Sequence, residues 1–118
     1  MNSADVQHAL DASVEVQITV TGRRSGREIS APVWFVREGK TLFLLPLTGS
    51  KTQWYRNLLK SRRMKISSGK LSLDLAATPI TESNRVALVT DKFRQKHGAA
   101  DVKKYYTGFE VAVELTLP

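Results

Sequence analysis

A regular alternation of apolar and polar residues near the N-terminus restricts the fold of this chain more than any other feature. Every second residue over positions 14–21 is valine or isoleucine, and the residues between them are polar. Period two indicates a strand with one buried face. The next six residues, 22–27, include two glycines, which permit the positive φ of a tight turn. The segment therefore predicts a β-hairpin whose turn carries Arg23, Arg24 and Arg27.

The rest of the chain predicts further strands and two main helices. Ser50, with Gln53 three residues later, forms a capping-box pattern at the start of a helix. A longer helix is expected between Thr81 and Gly98. The remaining strands are expected at about 29–37, 41–47, 63–67, 71–79 and 111–117. Six mainly antiparallel strands with few helices leave no exposed edges if they close into a barrel, so we predict an α+β barrel.

Composition limits the possible chemistry. A chain of 118 residues predicts one domain over residues 1–118. Cysteine is absent, which excludes disulfides and thiolate sites, and His8 and His97 are too few for a zinc site of their own. The net charge of +7 favours an anionic partner. No apolar run reaches membrane-spanning length, and we expect a cytoplasmic protein.

Three short motifs together resemble a known family. They begin at Thr21, Pro32 and Trp54 and read Thr-Gly-Arg-Arg-Ser-Gly-Arg, Pro-Val-Trp-Phe-Val and Trp-Tyr-Arg-Asn-Leu-Leu. They are similar to the flavin- and deazaflavin-dependent split-barrel oxidoreductases, a superfamily that includes the pyridoxamine 5'-phosphate oxidase fold. The nearest branch is the deazaflavin (coenzyme F-420)-dependent nitroreductases. The resemblance implies a six-stranded antiparallel split β-barrel, mainly β, with two or three flanking helices, and a homodimer with cofactor near the subunit interface.

The resemblance also implies a set of cofactor-binding residues. The strand expected to line the isoalloxazine-like ring contributes Ser30, Ala31, Pro32 and Trp34. The loop expected to wrap the phosphate contributes Thr48, Gly49, Ser50 and Lys51, and its wall is completed by Trp54, Tyr55 and Asn57. A glycine-containing loop before a helix N-terminus suits phosphate. Loop 47–53 is shorter than in the branch and lacks its Gly-Gly pair and His-Pro step, which leaves F-420, FMN and no cofactor as alternatives.

Several residues have two interpretations on sequence alone. The turn arginines either bind phosphate or form a solvated hairpin tip. A tyrosine of the pair Tyr105 and Tyr106 either packs at the entrance of the last strand or donates a proton to a reduced substrate, and we assign the donor role to Tyr106. His97 is expected at a helix C-terminus, where positive charge is favourable.

These observations favour a redox enzyme. It would pass hydride from reduced coenzyme F-420, or FMN, to a small electron-poor substrate such as a quinone, nitro compound or enone, the cofactor carrying the chemistry. The alternative is a non-catalytic basic binding module on a split-barrel dimer, for a nucleic acid or as a cofactor carrier. Nucleic acid is disfavoured because the strands lack the paired exposed aromatics that stack bases. A degenerate barrel that acts through dimerisation is a third alternative.

Overall fold

The computed structural model describes residues 2–118 and contains four α-helices and seven β-strand segments in that range. The helices are α1 (Ser3–Asp11), α2 (Gln53–Ser61), α3 (Ser83–His97) and α4 (Ala99–Tyr105), and a 3-10 helix (Gly49–Lys51) precedes α2. The strands are β1 (Glu15–Thr21), β2 (Glu28–Trp34), β3 (Val36–Glu38), β4 (Thr41–Leu44), β5 (Arg63–Ser68), β6 (Leu71–Ile80) and β7 (Ala112–Thr116).

The strands form one antiparallel sheet that curls back on itself. Their order is β2-β1-β5-β6-β7-β4-β3. The two terminal strands, β2 and β3, are consecutive segments separated only by Phe35, so one stretch of chain pairs with β1 and then with β4. β6 also changes partner, pairing with β5 through residues 71–76 and with β7 through residues 77–80. Two strands that each join both halves of the sheet produce a split barrel, which confirms the predicted fold class.

The six predicted strands correspond to seven segments because the second is interrupted at Phe35. Its side chain is fully buried, and its carbonyl accepts hydrogen bonds from Lys96 and His97 at the end of α3 instead of from a strand. The helix count is four, against the two or three predicted. Gly98, with φ of 92°, ends α3 and leads directly into α4, so a segment without a predicted element forms another helix.

Two hydrophobic cores account for the sequence pattern. The barrel interior contains the alternating Val16, Ile18 and Val20, together with residues of α1 and α2. A second core lies beneath α3 and α4 and includes Phe93 and Val102. Strand β4 separates the two, which explains the uninterrupted apolar run at residues 42–45. Within residues 2–118, no helix is long and apolar enough to cross a membrane.

Candidate functional site

Two cavities lie along β2. As the terminal strand of the sheet, β2 pairs with β1 on one side and has no neighbouring strand on the other. The aromatic cavity has a volume of about 300 Å³ and is lined by Glu15, Pro32, Val33, Trp34, Leu45, Leu47, Trp54, Tyr105 and Tyr106. The basic cavity has a volume of about 540 Å³ and is lined by Gly22, Arg23, Arg24, Ser25, Ile29, Ala31, Thr52, Gln53, Trp54 and Asn57. Trp54 contributes to both.

Aromatic side chains hold Trp34 in the wall of the aromatic cavity. Its indole stacks on the His97 imidazole, with ring centroids 4.5 Å apart and planes inclined by 10°. Tyr105 meets the indole edge-on at 5.7 Å, and Tyr106 lies tilted at 6.0 Å. Stacked and edge-to-face contacts of this kind restrict ring orientation. The indole is therefore fixed by protein groups before any ligand binds.

The C-terminal end of α3 fixes the position where β2 gives way to β3. Lys96 Nζ donates to the carbonyl oxygen of Phe35 at 2.9 Å, and His97 Nε2 lies 3.1 Å from the same atom. Because a carbonyl only accepts, the proton of His97 resides on Nε2 in this contact. Burial lowers the pKa of His97, which favours the neutral imidazole that stacks on Trp34. The predicted location of His97 at a helix C-terminus is confirmed.

Tyr106 supplies a hydrogen-bond donor inside the aromatic cavity. Its side chain is 4% exposed, and its hydroxyl bonds no protein group within residues 2–118. No fully buried side-chain nitrogen or oxygen of the described chain lacks a partner, so this hydroxyl is not fully buried. Desolvation raises the pKa of Tyr106 far above its usual value. The phenol therefore stays protonated at neutral pH and is free to donate.

Arg23 is held in the basic cavity by three hydrogen bonds to side chains of α2. Its backbone N–H and its Nη1 both donate to Asn57 Oδ1, at 3.1 and 2.7 Å. Its Nη2 donates to Gln53 Oε1 at 3.0 Å. Both acceptors are neutral amides on α2, so they orient the guanidinium without cancelling its charge. This arrangement is preorganised for a ligand that brings the missing negative charge.

The charge of Arg23 has no counterion in the described part of the chain. Its pKa is lowered by desolvation and then by the nearby cations Arg56 and Arg24, although an arginine remains charged at neutral pH. Lys60 Nζ adds a further cation by donating to the carbonyl oxygen of Arg23 at 2.9 Å. The basic cavity thus presents an excess of positive charge that an anion would neutralise.

The loop predicted to wrap phosphate already has an anionic partner within the chain. The backbone N–H and the hydroxyl of Ser50 donate to Glu110 Oε1 at 2.7 and 2.9 Å. These two contacts lower the pKa of Glu110, the backbone one most. None of the residues Thr48, Gly49, Ser50 and Lys51 lines either cavity. Their role as phosphate ligands remains a prediction, and the structure shows the Ser50 donors engaged by a carboxylate.

The predicted capping box at the start of α2 is wrong. The helix begins at Gln53 after Thr52, and its N-terminal cap makes no side-chain hydrogen bond. Each member of the predicted pair has a distant partner instead: Ser50 bonds Glu110, and Gln53 bonds Arg23. The two side chains therefore stabilise tertiary contacts and not the first turn of the helix.

The other predicted site residues divide between the cavities and the rest of the molecule. The aromatic cavity brings together Pro32, Trp34, Trp54 and Tyr106, and the basic cavity brings together Ala31, Trp54 and Asn57. Two residues line neither. Ser30 Oγ lies 2.8 Å from Thr19 Oγ1 across the hairpin, and Tyr55 is buried in the barrel core. Burial raises the pKa of Tyr55.

Sequence reasoning missed Glu15, Gln53 and Glu110. The position of Glu15 opposite Trp34 follows from counting outward from the hairpin turn, because Thr21 pairs with Glu28 and each step adds one residue to both strands. Glu110 lies 60 residues from Ser50, and Gln53 lies 30 residues from Arg23. No local pattern in the sequence indicates contacts of such separation.

Comparison with known proteins identifies a family and a shared fold. A family model described as "Uncharacterized protein conserved in bacteria (DUF2255)" matches residues 7–115. The conserved hypothetical protein Rv2991 from Mycobacterium tuberculosis is similar in structure with a TM-score of 0.75 at 14% identity, covering 99% of this chain and 80% of that one.

Two other similar structures belong to proteins whose names include a cofactor. An F420-H2-dependent reductase (FDR-A) gives a TM-score of 0.66 at 18% identity, covering 86% of this chain and 93% of the reductase. A FAD-binding protein from Mesorhizobium loti gives 0.68 at 13% identity, covering 100% of this chain and 91% of that one. At these identities the similarity establishes the fold alone.

Proposed function

The chain belongs to the bacterial DUF2255 family, and we propose that it is a flavin- or deazaflavin-dependent oxidoreductase. It would pass hydride from reduced coenzyme F-420, or FMN, to a small electron-poor substrate such as a quinone, nitro compound or enone. The observation that carries the proposal is the meeting of an aromatic cavity and a basic cavity at Trp54. The shared fold with an F420-H2-dependent reductase and a FAD-binding protein supports it.

The two cavities fit a cofactor made of a planar ring and a phosphorylated chain. Pro32, Trp34 and Trp54 provide flat apolar walls for the ring. Arg23 and Arg24 provide charge-assisted donors for a phosphate or an acidic tail. The β1–β2 ladder runs six residue steps from the Glu15–Trp34 pair to the Thr21–Glu28 pair, roughly 20 Å at the usual rise of a strand. That span accommodates an extended molecule with a ring at one end and an anion at the other.

The residues of the chain would bind, orient and donate hydrogen bonds, while the reduced cofactor, when bound, supplies the hydride. Trp34 is held by its stack on His97 and would orient the ring. The Tyr106 hydroxyl would donate to the carbonyl or nitro oxygen on which negative charge develops. The apolar side chains around it would exclude water and so strengthen that hydrogen bond.

We also propose that the protein is a homodimer that associates through the free edge of β2. An unpaired strand edge readily adds a further strand, and Ile29 on this strand is 46% exposed. A second copy at this edge would cover the walls of both cavities. Sedimentation equilibrium should give twice the chain mass, and a monomer at micromolar concentration would contradict the proposal.

Direct titration tests cofactor binding. Purified protein should show saturable binding of coenzyme F-420 or of FMN, followed by cofactor fluorescence, with a dissociation constant at or below tens of micromolar. Failure of both to bind would refute the proposal. Saturable binding without reduction of any quinone or nitro compound would favour the alternative of a non-catalytic cofactor carrier. Oligonucleotide binding with a steep salt dependence, and no cofactor binding, would favour a nucleic-acid module.

Replacement of Tyr106 by phenylalanine tests the chemical role. Because the hydroxyl bonds no protein group in the described chain, Tyr106→Phe should leave the unfolding midpoint and cofactor affinity nearly unchanged. The rate of substrate reduction should fall by roughly 100-fold if the hydrogen bond from the phenol stabilises the negative charge that develops on the substrate. Single-turnover oxidation of the reduced cofactor measures this rate. An unchanged rate with intact folding would remove Tyr106 from the reaction.

A further inference from the structure

Glu15 is the acidic residue in the wall of the aromatic cavity. It is the first residue of β1 and stands directly opposite Trp34 in the β1–β2 ladder. The other lining residues are apolar or aromatic, so Glu15 contributes the one carboxylate in this lining. Residues directly opposite each other in an antiparallel pair have adjacent side chains on one face of the sheet. The pairing therefore places a carboxylate beside the indole that we propose orients the ring.

The carboxylate of Glu15 has no cationic partner among the ion pairs of residues 2–118. The arginines of the basic cavity are at the other end of the hairpin, roughly 20 Å away along the strands. That distance exceeds the screening length of about 8 Å at physiological ionic strength. Apolar walls concentrate the field of a charge in a cleft. The lining thus carries arginines at the hairpin turn and a single carboxylate beside Trp34.

From this charge separation we propose that Glu15 determines substrate charge. Planar electron-poor substrates that are neutral or cationic approach the proposed cofactor ring at the Glu15 end of the aromatic cavity, and Glu15 rejects those with a sulfonate or carboxylate near Trp34. The inference rests on the proposed function in one respect, the approach of a planar redox substrate to the ring held in this cavity. It adds the class of substrate, which the cofactor and the fold leave open.

The expected effect follows from the exposure of Glu15. Its side chain is in contact with solvent, and exposed charge pairs interact weakly, so a change of about threefold in affinity is the reasonable scale. Reversal of the charge should have a larger effect than its removal, because repulsion of an anion is then replaced by attraction. The discrimination should also decrease as salt is added.

A matched pair of ligands tests the proposal. Menadione is neutral and naphthoquinone sulfonate is anionic, and their dissociation constants can be measured calorimetrically without cofactor. The ratio of the two constants cancels effects common to both quinones. Relative to the unmodified protein, Glu15→Gln should shift this ratio about threefold in favour of the sulfonate, and Glu15→Lys should shift it further. Glu82→Gln removes the same charge from a residue that lines neither cavity, and it should leave the ratio unchanged.

The possible outcomes separate this inference from the proposed function. An unchanged ratio in Glu15→Gln, an equal shift in Glu82→Gln, or failure of both quinones to bind would each overturn it. Because the measurement contains no cofactor, a protein that binds neither F-420 nor FMN can still show the selectivity. Conversely, a protein that binds cofactor and reduces menadione, with an unchanged ratio in Glu15→Gln, would retain the proposed function and lose this inference.

Discussion

Two turns of this molecule contain the same kinds of residues and are used in opposite ways. The hairpin turn at residues 22–27 and the loop at residues 48–51 each combine glycine, serine and a cation. In the loop, the Ser50 donors bond the carboxylate of Glu110. In the hairpin, the guanidinium of Arg23 donates to the neutral amides of Asn57 and Gln53. The loop has its anion within the chain, and the hairpin turn has none among residues 2–118.

The difference shows that turn composition alone does not identify an anion site. A hydrogen-bond donor contributes to binding of an anionic ligand only if its partner in the folded protein is not itself an anion. Glu110 bonds the loop, and Gly108, two residues earlier, forms an isolated β-bridge with Thr48. The hairpin turn is bonded by side chains of α2. We therefore expect changes in the loop to affect stability and changes in the hairpin to affect ligand affinity.

The largest expected effect is that of Gly108→Ala on stability. A Cβ at Gly108 would lie 2.6 Å from the backbone nitrogen of Gly49 and 2.7 Å from the carbonyl carbon of Thr48. Backbone atoms cannot move aside cheaply, so the free energy of unfolding should fall by about 3 kcal/mol in urea denaturation. The control is Gly69→Ala, which has φ of 57° but open space around it and should cost about 1 kcal/mol. Equal costs would show that the loop tolerates movement.

A smaller effect is expected on ligand affinity when the hairpin is altered. Arg23→Gln removes a preorganised guanidinium and should weaken binding of the phosphate-bearing cofactor by about tenfold. Arg27→Gln removes the same charge from the same turn at a position that lines neither cavity, and it should change affinity much less. Lys51→Ala tests the loop, whose role in phosphate binding remains a prediction. If Lys51→Ala weakens binding more than Arg23→Gln does, the loop holds the phosphate and the comparison between the two turns is reversed.

The smallest expected effect is the acid dependence contributed by Glu110. The Ser50 N–H, and then the Ser50 hydroxyl, lower the pKa of Glu110 from its usual 4.5. A lowered carboxylate pKa in the folded protein means that this stabilisation is fully present above the unfolded pKa. It is lost as the pH falls through the folded pKa. Glu110→Gln should therefore make the free energy of unfolding less dependent on pH in the acid range. Ser50→Ala should have part of the same effect. An unaltered profile in both would show that the contact contributes no stability.

Much of the fold could be predicted because its causes are local. Alternation over residues 14–21 indicated a strand with one buried face, and the burial of Val16, Ile18 and Val20 in the barrel core confirms it. The interruption at Phe35 could not be predicted. It depends on two side chains of α3 that reach a carbonyl 61 and 62 residues earlier in the chain.

The candidate site was predictable to a smaller extent. The motifs indicated Trp34, Trp54 and Asn57, which line the cavities. Tyr106, to which the sequence analysis assigned the role of proton donor, lines the aromatic cavity. The motifs did not distinguish Ser30, which faces Thr19, or Tyr55, which packs in the core. Residue type and spacing specify which groups are available. The direction in which a side chain points depends on what packs against it.

By itself, the sequence determined that this chain forms a mainly β barrel with a basic hairpin and a net positive charge, which favours anionic partners. The hydrophobic period and the placement of glycines act locally, and the net charge is a sum over all residues. All three can therefore be obtained without a structure. Only the tertiary structure decided which donors of the two turns bond an anionic group. It brought Glu110 to Ser50 and neutral amides to Arg23, and it set Glu15 opposite Trp34 at the far end of the same strands. The interaction energy of two charges depends on the distance between them. For residues far apart in the sequence, only folding sets that distance.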